Sequence, residues 1–372
     1  MRSRILSSLG LLFFLVATGV FAGQLDLGVD YQTWTTNSSA PWNGSEFLVP
    51  LTLSLDPWKD VNLYAQSEFA AGQYTDPING IQNLSDISDT VVGGKIGFKS
   101  FSFDSFVNLG VNLPTGNEAW ETETQYANIP TDFVDNRYQG RSFGLSGIYG
   151  VALPEGATQY GIGVGYLYSG AFNPNYGLGV PPENLKLGDS VFLSLNGTTT
   201  FPSNQTQAIT ASVYLFMPTL EESQNFIWMG PNFNLSYSWS NPSAFSFEAG
   251  AQYFLPAQTA VNGQWVTEAH NSIGPRVYLN PSWAFGNFVL AGRVKYVLAN
   301  GYDPTDLFYD GGGLLLGIEP SYKFTLDSQS ALTVSASYDN ITANGAGADA
   351  LGNRVDVLFN YWTMGATYEI KI

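Results

Sequence analysis

The sequence has no cysteine, and this absence removes several kinds of chemistry at once. Without a thiol the chain forms no disulfide, holds no cysteine-ligated metal and offers no residue for lipoprotein acylation. Histidine is nearly absent too, because His270 is the only one in 372 residues, and this excludes a histidine metal cluster. No metal or other cofactor is therefore expected.

Charged residues are scarce, and positive ones are the scarcest. Only 12% of the residues are charged, and 14 Lys plus Arg stand against 31 Asp plus Glu, for a formal net charge of −17. This balance argues against a nucleic-acid partner, because phosphates require a basic surface. The low charge, with an aromatic content of 15%, also argues against disorder, so the chain is expected to fold.

Long apolar runs are absent except for one near the N-terminus. Arg2 and Arg4 precede an apolar stretch that is densest from Leu11 to Phe21, and small residues lead to a cleavage site after Ala22. The sequence therefore predicts a signal peptide over 1–22. An uncleaved membrane anchor is the alternative, but the compact apolar part is about a dozen residues, short of the roughly 20 needed to span a bilayer.

The remaining chain, 23–372, alternates apolar and polar residues with a period of two, the pattern of a β-strand with two different faces. Leu25, Leu27 and Val29, for example, alternate with Asp26 and Asp30. Sixteen such segments are predicted, with 12 or 14 left open: 24–34, 46–55, 60–71, 88–98, 101–113, 140–152, 158–170, 188–200, 207–217, 226–239, 244–255, 272–284, 288–299, 313–325, 331–341 and 354–372.

The connections between these segments alternate between short and long. Short turns are predicted at 56–59, 99–100, 153–157, 201–206, 240–243, 285–287 and 326–330, and long loops at 35–45, 72–87, 114–139, 171–187, 218–225, 256–271, 300–312 and 342–353. Short periplasmic turns and long external loops are typical of transmembrane barrels. The sequence therefore predicts an all-β fold, a transmembrane antiparallel β-barrel that closes because lipid leaves no partner for an open edge.

Aromatic and proline positions refine this prediction. Aromatic residues near strand ends are expected to form the girdles at the membrane interfaces: Trp34, Tyr166, Tyr168, Tyr237, Trp239, Trp283 and Tyr368. The alternative is that these rings belong to the core of a soluble barrel. Four prolines fall inside predicted strands, where each is expected to mark a bulge or a strand end: Pro231, Pro275, Pro281 and Pro320.

The third long connection, Pro114–Gln139, is also the longest, and the chain ends in the strand Trp362–Ile372. In these features the sequence resembles the general diffusion porins of bacterial outer membranes, although those usually end in Phe rather than Ile. The resemblance implies passive passage of small solutes and ions, a third loop folded into the lumen, a homotrimer, and a last strand read by the barrel-assembly machinery. Gly110–Gly116 and Gly165–Gly170 also resemble segments of the outer-membrane barrels of phenol meta-pathway degradation, which implies an uptake channel.

Charged residues within the strands mostly share the parity that points away from lipid, where charges are costly. Residues with this lumenal parity are Lys95, Asp104, Glu248, Arg276, Arg293, Lys295, Glu319 and Lys323, with Asp26, Asp30, Glu68, Glu369 and Lys371. The third loop adds Glu118, Glu121, Glu123, Asp132 and Asp135. We expect these acids to face the wall cations across a cation-preferring constriction. The alternative is a solvated external loop.

Other candidate sites have weaker signals. Inward aromatics are expected to be few, namely Phe106, Tyr214, Phe216 and Phe254, and either stack on sugars or merely fill space. His270 could pair with an Asp in an external loop, but no strand-borne Ser–His spacing supports an enzyme. Asp303, Asp306 and Asp310 lack the central glycine of an EF-hand calcium loop. Three functions stay open: a passive porin, a specific uptake channel for aromatic compounds or sugars, and a non-transporting structural, adhesive or enzymatic barrel.

Overall fold

The computed structural model describes 22–36, 43–76, 80–116, 143–155, 157–172, 185–202, 205–221, 224–241, 244–255, 258–261, 264–267, 275–297, 312–348 and 354–371. Its strands are β1 (Ala22–Thr36), β2 (Asn43–Trp58), β3 (Val61–Asp76), β4 (Gly80–Ile87), β5 (Thr90–Ser100), β6 (Phe103–Leu113), β7 (Gly144–Glu155), β8 (Thr158–Ser169), β9 (Ala171–Phe172), β10 (Leu185–Lys186), β11 (Ser190–Thr200), β12 (Thr206–Phe216), β13 (Thr219–Glu221), β14 (Gln224–Trp228), β15 (Asn232–Ser240), β16 (Phe245–Phe254), β17 (Gln258–Val261), β18 (Gln264–Thr267), β19 (Arg276–Phe285), β20 (Phe288–Val297), β21 (Gly313–Thr325), β22 (Ser330–Ala348) and β23 (Arg354–Lys371). No helix in these ranges is long and apolar enough to span a membrane.

Most strands form one antiparallel sheet that closes on itself, because β23 pairs with β1 from Gln24↔Lys371 to Thr36↔Phe359. β4 and β5 act as a single barrel strand, since β4 pairs with the second half of β3 and β5 with the first half. Counted in this way, the barrel has the sixteen strands that the sequence predicts, and the predicted fold class is confirmed. Closure removes every sheet edge from the bilayer.

The described parts of three long connections form a second sheet that the sequence pattern missed. Its strand order is β18-β17-β14-β13-β10-β9, and all of its pairings are antiparallel. These short strands continue the barrel hairpins beyond the rim, as where β9 follows β8 after one residue. Strands of two to five residues are too short to show a period of two, which is why 171–187, 218–225 and 256–271 read as loops.

The predicted strand over 226–239 is two strands. β14 belongs to the second sheet and β15 to the barrel, and Pro231 lies between them. Pro275 similarly precedes the first residue of β19. Both prolines mark strand ends, as a residue without an N–H donor should.

Pro281 and Pro320 do lie inside strands, and each interrupts the pairing on only one side. Pro281 stays in register with Phe247 of β16, while the ladder from β19 to β20 skips its position. Pro320 stays in register with Leu290 of β20, while the ladder from β21 to β22 skips it. Each of these ladders skips two positions, the proline and the residue before it, and this is tolerable because the other neighbouring strand still pairs with the strand.

One turn is displaced by two residues from its predicted position. The connection from β5 to β6 is Phe101–Ser102 rather than 99–100, and Phe101 has a φ of 57° and is 99% exposed. The alternation of Phe101 with Phe103 in the sequence mimics a strand, but the left-handed backbone of Phe101 belongs to a two-residue hairpin. The turn from β19 to β20 is equally tight, with Gly286 at a φ of 65°.

Candidate functional site

The strand registers give the barrel wall two chemically different faces. Large apolar side chains exposed on the outer face include Leu27, Val29 and Tyr31 of β1, whose exposed fractions are 42%, 39% and 46%. The opposite parity of the same strand carries Asp26 and Asp30. Because lipid accepts the first set and excludes the second, the polar face lines the lumen.

The strand registers assign each predicted wall residue to one of these two faces. Lys95, for instance, is in register with Asn108 of β6, and Asp26 with Glu369 of β23. The predicted wall charges all lie on the lumenal face: Lys95, Asp104, Glu248, Arg276, Arg293, Lys295, Glu319 and Lys323. Glu46 and Asp339 have the same parity and were not among the predicted residues.

Arg293 is the centre of a charged cluster in this lumen. Its Nε and Nη2 donate to the two carboxylate oxygens of Asp339 at 3.1 and 2.8 Å, and its Nη1 donates to Glu319 Oε2 at 2.6 Å. The planar guanidinium is thus bidentate to one carboxylate and bridged to a second. Gly317, in register between Arg293 and Asp339, leaves the space that these side chains occupy.

Other wall cations also have partners on the wall. Lys323 Nζ lies 2.7 Å from Glu369 Oε2, and Lys95 Nζ lies 4.5 Å from the centre of the Phe106 ring. The Arg276 guanidinium lies 4.7 Å from the centre of the Phe254 ring. Arg293 and Lys323 are therefore engaged by wall carboxylates rather than presented to the lumen as bare charges.

The lumen wall is divided into a larger charged part and a smaller neutral part. The charges lie on β16 to β23 and β1 to β6, whereas β7, β8, β11, β12 and β15 present no Asp, Glu, Lys or Arg to the lumen in the residues described. These five neighbouring strands carry hydroxyls, amides, aromatic rings and glycines instead. We call them the neutral wall.

Inward aromatics are more numerous than predicted. Phe106, Tyr214, Phe216 and Phe254 have lumenal parity as expected, but so do Trp34, Tyr64, Phe192, Tyr278, Phe359 and Tyr361. The placement of Trp34 in the outer girdle is wrong, because Trp34 is 2% exposed and stacks on Tyr361 with ring centroids 6.4 Å apart. Sequence alternation could have found it, since Trp34 shares the parity of Asp26 and Asp30.

Several of these rings lie flat against the wall over a glycine of the neighbouring strand. A Cβ added at Gly165 would clash with the Phe192 ring, and one added at Gly250 would clash with the Tyr278 ring. Tyr278 then donates from its hydroxyl to Glu248 Oε1 at 2.8 Å. Glycine therefore allows a large ring to line the lumen without projecting across it.

Some side chains on the charged part of the lumen wall are almost completely buried. Trp34 and Leu48 are each 2% exposed, and Ile341 and Phe359 are 0% exposed, although all have lumenal parity. All four lie on β1, β2, β22 and β23, so these buried side chains occupy one region of the lumen wall.

The first residues of the third long connection turn back over the break between β4 and β5. Asp89 accepts from the Asn112 side-chain amide at 2.7 Å and from the N–H of Gly116 at 2.9 Å. The Thr115 hydroxyl donates to the Ser88 carbonyl at 3.0 Å. Gly116 is buried, so the connection leaves β6 against the wall rather than away from the rim.

Several predicted residues lie outside the described ranges: Glu118, Glu121, Glu123, Asp132, Asp135, His270, Asp303, Asp306 and Asp310. The same holds for 1–21, so cleavage after Ala22 stays a prediction. Within the ranges that are described, no group of three or more His, Asp or Glu side chains could hold a metal ion.

No protein-family model matches the chain, and no curated protein matches it. Among solved structures, it is similar to an outer membrane channel from Pseudomonas putida F1, at 11% identity and a TM-score of 0.40, over 64% of this chain and 90% of that one. It is also similar to a mutant of the Rhodopseudomonas blastica porin, at 10% identity and a TM-score of 0.41, over 94% and 99%. Similarity at this level identifies no function.

The architecture itself defines the class of protein. A closed antiparallel barrel of sixteen strands with an apolar exterior and a polar interior is a transmembrane β-barrel of the outer-membrane type. Sixteen strands enclose an aqueous lumen, whereas eight leave room for little more than side chains.

Proposed function

We propose that the chain forms a passive channel in the bacterial outer membrane for small hydrophilic solutes and ions. The observation that carries this proposal is the largely polar, charge-bearing face inside a closed wall of sixteen strands. Charged side chains on that face, such as those around Arg293, would be costly in a lumen packed like a protein core. In a water-filled pore they are hydrated.

We also propose that the channel prefers cations. The chain has a formal net charge of −17, and its lumenal cations Arg293 and Lys323 are neutralised by wall carboxylates. The remaining acidic excess attracts cations to the pore and repels anions. A reversal potential measured across a salt gradient tests this preference directly.

The third connection, 114–139, is proposed to narrow the lumen. Support comes from its first residues, where Thr115 and Gly116 hydrogen-bond to Ser88 and Asp89 on the wall, and from lumenal side chains that are fully buried, among them Ile341 and Phe359. Its five acids, Glu118, Glu121, Glu123, Asp132 and Asp135, then face a lumen whose opposite wall includes Arg276 and Lys295. A transverse field of this kind would orient dipolar solutes.

Charge removal tests this constriction. Glu121→Gln with Glu123→Gln should shift the reversal potential toward anions, whereas the matched pair Asp303→Asn and Asp306→Asn in another long connection should change it much less. An equal response of the two pairs would assign selectivity to overall charge rather than to 114–139.

Assembly is proposed to follow from the closing strand. β23 pairs along its length with β1 and β22, so the barrel closes only when β23 is in place. We propose that the barrel-assembly machinery reads this strand and that the barrel associates as a homotrimer in outer-membrane lipid. Crosslinking in native membranes tests the trimer.

A further inference from the structure

Across part of the neutral wall and the adjoining strand β16, an aromatic row lies directly above an amide and hydroxyl row. The first row is Phe192, Tyr214, Asn232 and Phe254, which lie in register across β11, β12, β15 and β16. One step along the same face, the second row is Ser194, Ser212, Asn234 and Gln252. These residues line the lumen together with the Arg276 guanidinium over Phe254.

The neighbouring rings of Phe192 and Tyr214 form one aromatic platform. The ring centroids of Phe192 and Tyr214 are 5.4 Å apart, and their planes differ by 26°. Gly165 receives the Phe192 ring against the wall, and the Phe192 and Tyr214 rings are stacked on each other. Both side chains are half-buried and keep accessible surface.

The amides beside this platform have unused hydrogen-bonding capacity. The side-chain oxygens of Asn232 and Asn234 are shielded from solvent and accept no hydrogen bond within the described residues. The Asn234 amide makes only a long contact with the Ser212 hydroxyl at 3.4 Å. An asparagine amide turns readily about its last torsion, so it can present either its donor or its acceptor to a solute.

We propose that β11, β12, β15 and the adjoining end of β16 form a subsite for uncharged polyhydroxylated solutes, that is, for sugars. A sugar ring presents one apolar C–H face, which packs on an aromatic face, and a rim of hydroxyls that both donate and accept. Phe192 and Tyr214 supply the platform, and Asn232, Asn234 and Gln252 supply the amides. A site built on amides disfavours purely apolar aromatic solutes, because these would leave the amides unpaired. The proposal rests on the proposed channel function and specifies its solute class.

The scarcity of charge supports a neutral solute, because β11, β12 and β15 present no charged side chain to the lumen in the residues described, and the neighbouring Arg276 guanidinium lies over the Phe254 ring. A charged sugar derivative or an amino acid would be recognised better in the charged part of the lumen wall, where Arg293, Glu319 and Asp339 lie. A neutral sugar gains nothing from those charges and would have to displace their hydration. The neutral wall therefore gives uncharged solutes their own path through the same pore.

The test is current block by maltotriose in planar bilayers that contain the purified full-length barrel. Wild-type current should fall to a saturable limit, whereas a polyethylene glycol of similar mass should reduce it without saturation. Phe192→Ala with Tyr214→Ala should raise the half-saturating concentration at least tenfold, and Asn232→Ala with Asn234→Ala about tenfold. Phe106→Ala, which removes a lumenal ring from the charged part, should change it less than about twofold.

Normal ion current with no saturable block by maltotriose would overturn the subsite and leave the channel intact. Saturable block by phenol with none by maltotriose would likewise overturn it. Isothermal titration of the detergent-folded barrel with maltotriose provides a readout that needs no current. Binding that is lost in the Phe192→Ala, Tyr214→Ala variant supports the subsite even when the barrel passes no ions, and no binding by the wild type rejects it.

Discussion

At the scale of single residues, the lumen is organised by side chains that satisfy each other on the wall. Arg293 joins two carboxylates of neighbouring strands, of which Asp339 has a side chain only 7% exposed. A carboxylate so shielded is costly to bury without a cation beside it. The cluster therefore fixes both the packing of β20 to β22 and the local charge of the pore.

Arg293→Met should destabilise the barrel and make the pore more cation-selective. Removing the guanidinium leaves Asp339 without its bidentate partner, at a cost of about 1–3 kcal/mol. The low end of that range is expected, because Arg293 and Glu319 are about one-third exposed to solvent. Urea unfolding of the vesicle-reconstituted barrel measures the loss of stability, and the reversal potential measures selectivity.

The double variant Arg293→Met, Asp339→Asn is the control. It removes the isolated carboxylate as well, so it should recover part of the stability lost in Arg293→Met. A double variant that loses the sum of two single losses would show that the two residues do not depend on each other.

Gly250→Ala should reduce the ion current. The added Cβ would meet the Tyr278 ring at under van der Waals distance, which forces the ring off the wall and away from Glu248. Gly197→Ala is the matched control, since its Cβ lies 3.6 Å from the Tyr160 ring, an ordinary contact on the lipid-facing side. Single-channel conductance compares the two, and an equal current in both variants would contradict the packing of Tyr278 on Gly250.

At the scale of elements, Asp189 fixes the junction between the barrel and the second sheet. It lies just before β11 and accepts from the Tyr166 hydroxyl at 2.5 Å and from the Ser169 N–H at 3.1 Å, while Lys186 Nζ lies 3.4 Å away. Burial raises the pKa of the Asp189 carboxyl, but these donors and the Lys186 charge lower it more, so the pKa lies below its ordinary value of 3.8.

A lowered pKa predicts that the junction loosens in acid. The stabilisation by the Asp189 carboxylate is present above its ordinary pKa and is lost as the pH falls through the lowered value. Asp189→Asn should imitate this change at neutral pH. Amide hydrogen exchange should then quicken in β9 and β10 and stay unchanged in β19 to β21. Uniform quickening throughout the barrel would contradict a local role.

The sequence predicted the barrel but not the short strands that lie in the long connections. Period-two alternation predicted the sixteen barrel strands because lipid and water impose opposite chemistry on the two faces of a strand. It missed β9, β10, β13, β14, β17 and β18 as separate strands, because strands of two to five residues show no usable period, and it wrongly placed β4 in a loop over 72–87. It also placed Trp34 outside, because the prediction followed proximity to a strand end rather than parity.

For the site residues, the sequence predicted which face of a strand each one occupies but not which residues it contacts. Parity gave the face of Arg293, Glu319 and Lys323, but only strand register shows that Arg293 reaches Asp339 across Gly317. The sequence analysis did not identify the neutral wall, because single residues such as Asn232 and Phe192 carry no functional signal by themselves. Their significance comes from five neighbouring strands lacking charge together.

At the scale of the whole molecule, the barrel combines an apolar exterior with a lumen wall whose two parts differ in charge. Such a wall is costly to assemble unless water and solutes occupy the interior, because carboxylates and guanidinium groups require hydration or partners. The central claim is therefore that the lumen is an open aqueous path across the membrane.

The most direct measurement is the single-channel current of the purified, folded protein in a planar bilayer with a salt gradient across it. An open channel with an acidic interior predicts discrete, ohmic current steps and a reversal potential on the cation-selective side. Folded, inserted barrels that give no current steps would contradict the open path and leave a plugged or non-transporting barrel.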